Sequence, residues 1–507
     1  MTQRVRRALR FATVVILSAL TLVAWSFASP VGASPDDDFH LVSTWCAGPI
    51  AEEACVDDGD EQATRQVPRA LILAPCYVAD ETASAACQEE RLSWELDDTV
   101  STQRGNFASG GYPPVYYAVS GLLAGPDVQV SALAMRLANA AVFLAFASVL
   151  FVLLPRDLRL PLVGGWLIAT VPLGLFLLAS NNPGSWALTG VAASWLSLAG
   201  WFRSSGRRKI ALGVVFVLAV IVAAGARGDA AAYVGLAISL VIVLEARRAR
   251  EFWVSTLLPL AMIVVAFLFF LSSRQVTSGV EGFGGGSEVA QEQLGEFGLL
   301  AYNILNVPWL WSGFFGSWGL GWTFTTMPYV VPLAATAAFV VVGAAGLSMI
   351  SPRKAVIVGV TALALWALPV YVLQAGGDSV GANVSPRYLL PLGVLLAGFL
   401  LLGVPGRSLP LTRTLRITVA VALIGAHFVA LHITIRRYVT GLDVGGIDLG
   451  SGAEWWWDGP IGPNAVWLLG SLAYALLVVL VLPTVDYPTQ STEAEQAAPT
   501  RSDAVAS

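Results

Sequence analysis

The sequence predicts an all-α integral membrane protein of about 12 transmembrane helices (11–13), with a large disulfide-bonded first exoplasmic loop. Three observations predict it. Of the 507 residues, 56% are hydrophobic and only 12% charged, with a mean hydropathy of +0.69, whereas an average soluble domain carries about 25% charged residues. Apolar runs near the ~20 residues needed to cross hydrocarbon recur from residue 8 to residue 482. All four cysteines fall in one polar segment between the first two runs.

In chain order, spans are expected near 9–29, 130–154, 161–179, 184–202, 210–225, 229–245, 253–271, 329–350, 355–374, 388–403, 417–435 and 463–482. The stretch 112–125, "YPPVYYAVSGLLAG", is apolar but short and proline-led, and reads as an interfacial or re-entrant helix; a thirteenth short span is the competing reading. These spans divide the chain into an amino terminus with the first helix (1–29), an acidic exoplasmic loop with the interfacial helix (30–128), a multi-span domain (129–482) and a polar, low-complexity tail (483–507) expected to be disordered and cytoplasmic. The multi-span domain carries further exoplasmic loops near 272–328, 375–387 and 436–462.

Short cytoplasmic loops are enriched in Lys and Arg. With the amino terminus inside, 19 of the 29 basic residues fall in cytoplasmic segments and every inner turn carries at least two. The 30–112 segment has the opposite character, with sixteen acidic residues against Arg65, Arg69, Arg91 and Arg104. An even number of cysteines confined to that segment argues for two disulfides in an oxidising compartment. Proximity pairs Cys46 with Cys55 and Cys76 with Cys87; a zinc site is the rival reading, although no close C-x₂-C pair is present. The first apolar run could be a cleaved signal peptide, but its length of about twenty residues favours an uncleaved first helix. In the 272–328 loop, a Gly-rich linker (282–287) precedes an aromatic stretch whose Trp309, Trp311, Trp318 and Trp322 suit the headgroup level of an interfacial or re-entrant element.

Candidate site residues are the charges that a membrane should not keep. Six arginines, Arg136, Arg227, Arg274, Arg387, Arg436 and Arg437, lie outside or at outer span ends, where the basic-inside bias predicts none. Arginine's planar fork suits a phosphate, and Arg227, Arg387, Arg436 and Arg437 are the phosphate-binding candidates. A structural ion pair, Arg227 with Asp229, or snorkelling to headgroups, is the competing explanation. Asp36, Asp37 and His40, in "SPDDDFH", are the catalytic candidates: neighbouring carboxylates raise one another's pKa and can serve as general base or metal ligands. Solvated loop acids are the alternative. No G-x-S-x-G elbow, Walker loop or H-E-x-x-H motif is present.

Five motifs in order, "SPDDDFH", "YPPVYYAVSGLLAG", "NNPGSWALTG", "SPRYLLPLGVLL" and "RRYVTGL…WWWDGP", resemble a bacterial polytopic family known only as predicted membrane proteins of unknown function. Its P-D-E-x-x-H motif falls on Pro35, Asp36, Asp37 and His40, its H-P-P-x-Y-Y motif on Pro113, Pro114, Tyr116 and Tyr117, and its R-Y-L-L-P motif on Arg387 to Pro391, including Tyr388. Asp37 stands where glutamate is usual, and Tyr112 replaces the usual histidine. The resemblance spans nearly the whole chain. That family in turn resembles the GT-C glycosyltransferases by architecture, an analogy that does not fix function.

What the resemblance implies is a glycosyltransferase of the bacterial plasma membrane that moves a sugar, with inversion, from a polyprenyl-phosphate donor to a glycan, lipid or protein acceptor of the cell envelope. Asp36 or Asp37 would be the general base, Arg227 and Arg387 would hold the lipid phosphate, and Tyr116 and Tyr117 would border the lipid groove. A divalent cation (Mg²⁺, Mn²⁺ or Ca²⁺) on Asp36 and Asp37 is the one cofactor the carboxylates suit, and no nucleic-acid partner is expected. The alternatives are a transporter or flippase of a lipid-linked precursor, which more often places its charges near the bilayer midplane, and a non-catalytic envelope assembly protein.

Overall fold

The structure, a computed structural model, describes residues 2–57, 59, 64–273, 288–322, 325–403 and 409–482. The Gly-rich linker at 282–287, Arg274, and the tail at 483–507 lie outside the described residues. The rest is a bundle of helices with a polar lobe on one end.

Eight helices among the described residues are long and apolar enough to cross a membrane: Gln3–Phe27, Val128–Leu153, Gly228–Glu245, Arg250–Ser272, Val330–Leu347, Pro352–Ala375, Arg413–Val439 and Pro463–Val481. Length and composition therefore account for eight of the twelve expected spans. The other four are helical for reasons that also explain their weaker signal. The 161–179 run is split into Arg159–Ala169 and Leu173–Leu178, because Pro172 at the junction has no N–H to continue the ladder. Gly206–Ala224 opens on Arg207, Arg208 and Lys209. Gly184–Arg203 is buried along almost its whole length, from Ser185 to Gly200. A helix that touches protein on every side gains from small and hydroxyl residues that let neighbours approach closely, and need not be as apolar as one facing lipid. Pro386–Leu400 is likewise nearly all buried but only 15 residues long.

The basic turns are tied together at one end of the bundle. Arg10 donates to Leu480 O, Arg353 to Leu244 O and Lys354 to Leu402 O, while Arg208 reaches Leu153 O and Arg203 pairs with both Asp157 and Glu245. The acidic 30–127 lobe sits at the other end. Its disulfides are Cys46–Cys55 and Cys76–Cys87, the pairing read from proximity. It also holds a small antiparallel sheet of Val56–Asp57, Arg65–Pro68 and Thr99–Thr102, which strands of two to four residues do not announce in sequence.

Two arginines fasten the lobe to the bundle. Arg437 donates to the main-chain carbonyls of Ala83 (2.6 Å), Tyr77 (2.8 Å) and Asp80 (2.8 Å), clamping the Cys76–Cys87 loop to the Arg413–Val439 helix. Arg136, buried in the Val128–Leu153 helix, donates to Ser26 O, Ser29 O and Pro30 O where the first helix ends. A guanidinium with several carbonyls satisfies backbone acceptors that water cannot reach. The aromatic stretch forms a helix, Glu288–Ser312, kinked at Gly295, and a turn at Gly313–Phe315. This turn and its continuation fold onto the lobe: Trp322 donates to Gly32 O at 2.8 Å. A Cβ on Gly313 would lie 2.2 Å from the Pro386 ring, and one on Gly321 2.6 Å from Ala33 O, so both contacts need glycine.

Candidate functional site

Asp36 closes the short link from the first helix. It adopts φ 63°, ψ 20° and is the only non-glycine with positive φ among the described residues. Asp tolerates this left-handed conformation better than most residues, but the conformation costs energy and gathers at functional sites. Here it starts the helix Asp37–Trp45, with Asp36 O accepting from Phe39 N and His40 N. Successive helical residues point about 100° apart, so Asp37 turns inward, away from Asp36 and Asp38, which share Arg104.

Asp36 turns toward the membrane-edge arginine. Arg387 Nη2 lies 2.5 Å from Asp36 Oδ2 and also donates to Tyr388 Oη at 3.0 Å. Arg104 reaches Asp36 Oδ1 at 3.4 Å and grips Asp38 with two nitrogens. The Asp36 side chain is 34% exposed and that of Arg387 12%, so the pair lies at a solvent-reachable edge. Arg387 Nε is buried without a partner. It starts the Pro386–Leu400 helix, on which Gly313 packs.

Asp37 faces inward and is fully buried; its Oδ2 accepts from Ser34 N at 3.2 Å and its Oδ1 has no partner. Burial raises its pKa to about 8, against the attraction of Arg136. At neutral pH it is mainly a carboxylic acid.

His40, one turn on, is buried with Nδ1 2.8 Å from Tyr117 Oη and Nε2 unpartnered. Burial, then the cations Arg227, Arg387 and Arg104, hold its pKa well below the usual value, so the imidazole is neutral. Tyr117 belongs to the Val115–Ser120 helix, the interfacial element expected at 112–125. It is pinned by Val115 N donating to Gly225 O at 3.0 Å. Tyr116 on the same turn faces away, its Oη accepting from Asn139 Nδ2 and its ring edge-on to Trp186.

Arg227 precedes the Gly228–Glu245 helix and makes the competing ion pair, a fork onto Asp229 at 2.9 and 2.7 Å. It nevertheless belongs to the cluster. Its guanidinium carbon stands 4.8 Å from the Tyr388 ring centre, the ring that Arg387 approaches at 4.9 Å, and 5.5 Å from Tyr112. Tyr112, standing where a histidine is usual, packs 5.2 Å from His40, and its phenol is pushed up to about 12 by burial.

The structure thus brings together Asp36, His40, Tyr117, Arg227, Arg387 and Tyr388, and adds Arg104 and Tyr112. The phosphate candidates Arg436 and Arg437 are elsewhere. Arg436 donates to Gly446 O and Asp448 O, folding the 440–448 loop back on its helix, while Arg437 makes the clamp described above. Arg104 carried no sequence signal beyond balancing acidic neighbours. The "NNPG" motif did: Asn182 Nδ2 donates to Pro35 O beside Asp36, and buried Asn181 has neither amide atom partnered.

The cluster suits an anion rather than a cation. Asp36 is bound by two guanidiniums, Asp37 is buried and mainly protonated, and among the described residues no three His, Cys, Asp or Glu side chains gather as a metal site. Two arginines face one phenol ring: Arg387 offers an unused Nε donor to a phosphate, and Arg227, its fork on Asp229, adds positive charge.

No curated protein matches the chain. Residues 19–396 match a family described as a predicted membrane protein (DUF2142), a stretch that includes Asp36, Arg227 and Arg387 and stops short of the "RRYVTGL…WWWDGP" motif. The match covers well over half of the 507 residues, so the chain belongs to this DUF2142 family of predicted membrane proteins.

Proposed function

We propose that the protein is a GT-C-like glycosyltransferase of the bacterial plasma membrane, with its amino terminus cytoplasmic. It transfers a sugar from a polyprenyl phosphate to an envelope acceptor on the exoplasmic face. The observation that carries this reading is the contact of Asp36 with Arg387 at a solvent-reachable edge, beside Arg227 on the same tyrosine ring. A carboxylate that accepts a proton and a fork that holds a departing phosphate are the two groups such a transfer needs. Both lie at helix ends rather than mid-span, which favours transfer over translocation.

The donor phosphate displaces Asp36 from Arg387, with Arg387 Nε and Arg227 adding to its hold. Freed of Arg387 and still oriented by Arg104, Asp36 takes the proton of the acceptor hydroxyl as that oxygen attacks the anomeric carbon. The carbon–oxygen bond to phosphate breaks, its electron pair leaves with the polyprenyl phosphate, and the arginines stabilise the charge that develops there. Attack from the side opposite the leaving group inverts the anomeric centre. Neutral His40, with Nε2 unpartnered, hydrogen-bonds a sugar or acceptor hydroxyl.

The test is transfer from a labelled polyprenyl-phosphate sugar by the purified full chain in lipid. Asp36→Asn is expected to lower the rate by about 10²–10⁴-fold, the usual range for a lost general base. Arg387→Lys keeps the charge and loses the fork, and is expected to cost about tenfold or more. Undiminished transfer by Asp36→Asn overturns the mechanism, and no transfer by wild type from any polyprenyl-phosphate sugar overturns the function.

A further inference from the structure

At the opposite end of the bundle from Asp36, the first helix, Val128–Leu153, Arg159–Ala169 and Pro463–Val481 leave a cleft of about 350 Å³. Its walls are apolar, with Phe11, Phe143, Trp166 and Leu477 among them, and its rim carries Arg7, Arg10 and Arg159. From Arg7 to Leu22 the first helix lines it over about 22 Å at 1.5 Å per residue, close to the depth of one leaflet with its headgroups.

The rim is positive without local compensation. Among the described residues, none of these three arginines makes an ion pair. Arg10 donates one nitrogen to Leu480 O, Arg159 lies 4.9 Å from the Phe151 ring, and Arg159 Nε is buried with no partner. Like-charged Arg156 and Arg208 stand within electrostatic reach of Arg159. A basic turn that only oriented the chain would keep its arginines in water; here a guanidinium nitrogen is turned away from water beside an apolar cleft.

We infer that this cleft holds a diacyl phospholipid with an anionic headgroup. The phosphate sits among Arg7, Arg10 and Arg159, and an acyl chain lies along the wall between Phe143 and Leu477. Forked donors and a desolvated Nε fit a phosphate diester. The cleft's one-leaflet depth fits an acyl chain better than the much longer polyprenyl chain of the donor proposed above, so this site is separate from the Asp36 cluster.

Native mass spectrometry of the detergent-solubilised full chain, titrated with phosphatidylglycerol or phosphatidylcholine of the same acyl chains, tests it, with a polyprenyl phosphate as third arm. Phosphatidylglycerol is expected to be retained with about tenfold preference over phosphatidylcholine, the scale of one charge-assisted contact. Arg159→Gln is expected to abolish that preference, and Ala147→Trp, which fills the cleft, to lower retention of both phospholipids. Arg7→Gln, at an exposed position, serves where the change at half-buried Arg159 impairs folding, and is expected to reduce the preference severalfold. Equal retention of the two phospholipids, stronger retention of the polyprenyl phosphate, or an unchanged preference in both arginine variants overturns the assignment.

Discussion

Asp37→Asn separates the two aspartates of the motif. The wild-type carboxyl has a pKa near 8 when folded, because burial disfavours its charge, against 3.8 unfolded. Below pH 4 it is protonated in both states and carries no penalty; as pH rises toward 8, the unfolded chain releases the proton that the folded chain keeps. Stability therefore falls with pH over that window, by up to about 1.4 kcal/mol per unit, or on the order of 4 kcal/mol by pH 7 as a ceiling. Asparagine has nearly the shape of the protonated acid and no charge to lose, so the variant escapes the penalty. The expected result is a melting temperature near wild type at pH 4.5 that rises progressively above it toward pH 8 and levels beyond. Thermal unfolding of the detergent-solubilised chain across pH 4.5–9 is the assay. A gap independent of pH, or a variant increasingly less stable at high pH, would show that Asp37 is ionised against Arg136 and refute the reasoning.

Three further outcomes test other parts of the structure. Arg437→Gln removes the donor shared by the carbonyls of Tyr77, Asp80 and Ala83, the first two of which keep a long turn bond, and is expected to cost about 2 kcal/mol, seen as a lower melting temperature and faster proteolysis between residues 76 and 87. Removing the Cys76–Cys87 bridge, which closes a loop of sequence separation 11, is expected to cost about 3 kcal/mol through freedom restored to the unfolded chain; a double Cys→Ser variant that melts like wild type contradicts this. Asp36→Gly relieves a left-handed backbone worth about 1 kcal/mol or more but deletes the carboxylate. It is expected to melt no lower than Asp36→Asn while transferring no sugar, and full activity in either variant removes the carboxylate from the mechanism.

The fold class was legible because lipid imposes long apolar runs, and those runs are what composition measures best. Span counting became harder where the lipid constraint lapses: Gly184–Arg203 faces protein on almost every side and keeps Ser185, Thr189, Ser194 and Ser197. At the site, Asp36, His40, Arg227 and Arg387 were findable because charges at membrane edges are expensive. The same logic named Arg436 and Arg437, which the fold uses on main-chain carbonyls instead. An unexpected charge marks a burial cost, and a phosphate and a set of unsatisfied carbonyls meet that cost equally well. Nothing in a D-D-D run says which carboxylate faces the arginines, since that depends on where the helix begins and on one residue's left-handed turn.

That turn also bears on how the site would cycle. Asp36 is held by single nitrogens of Arg387 and, more distantly, Arg104, and can leave Arg387 when a competing anion arrives, whereas Asp229 beside Arg227 lies in a forked pair two residues along the same chain. Arg387 is thus the better exchanger of the two, because its partner Asp36 comes from a different element, 351 residues away, and keeps a solvent-facing side. Arg227 is the better fixed charge, adding to the field at Tyr388 without letting go of Asp229. If this division holds, Arg387→Lys weakens binding of the lipid phosphate and slows transfer together. Asp229→Asn, which frees the Arg227 fork, tightens phosphate binding while leaving Asp36 in place. An Asp229→Asn variant that binds the donor more weakly would mean that Arg227 is a structural ion pair alone.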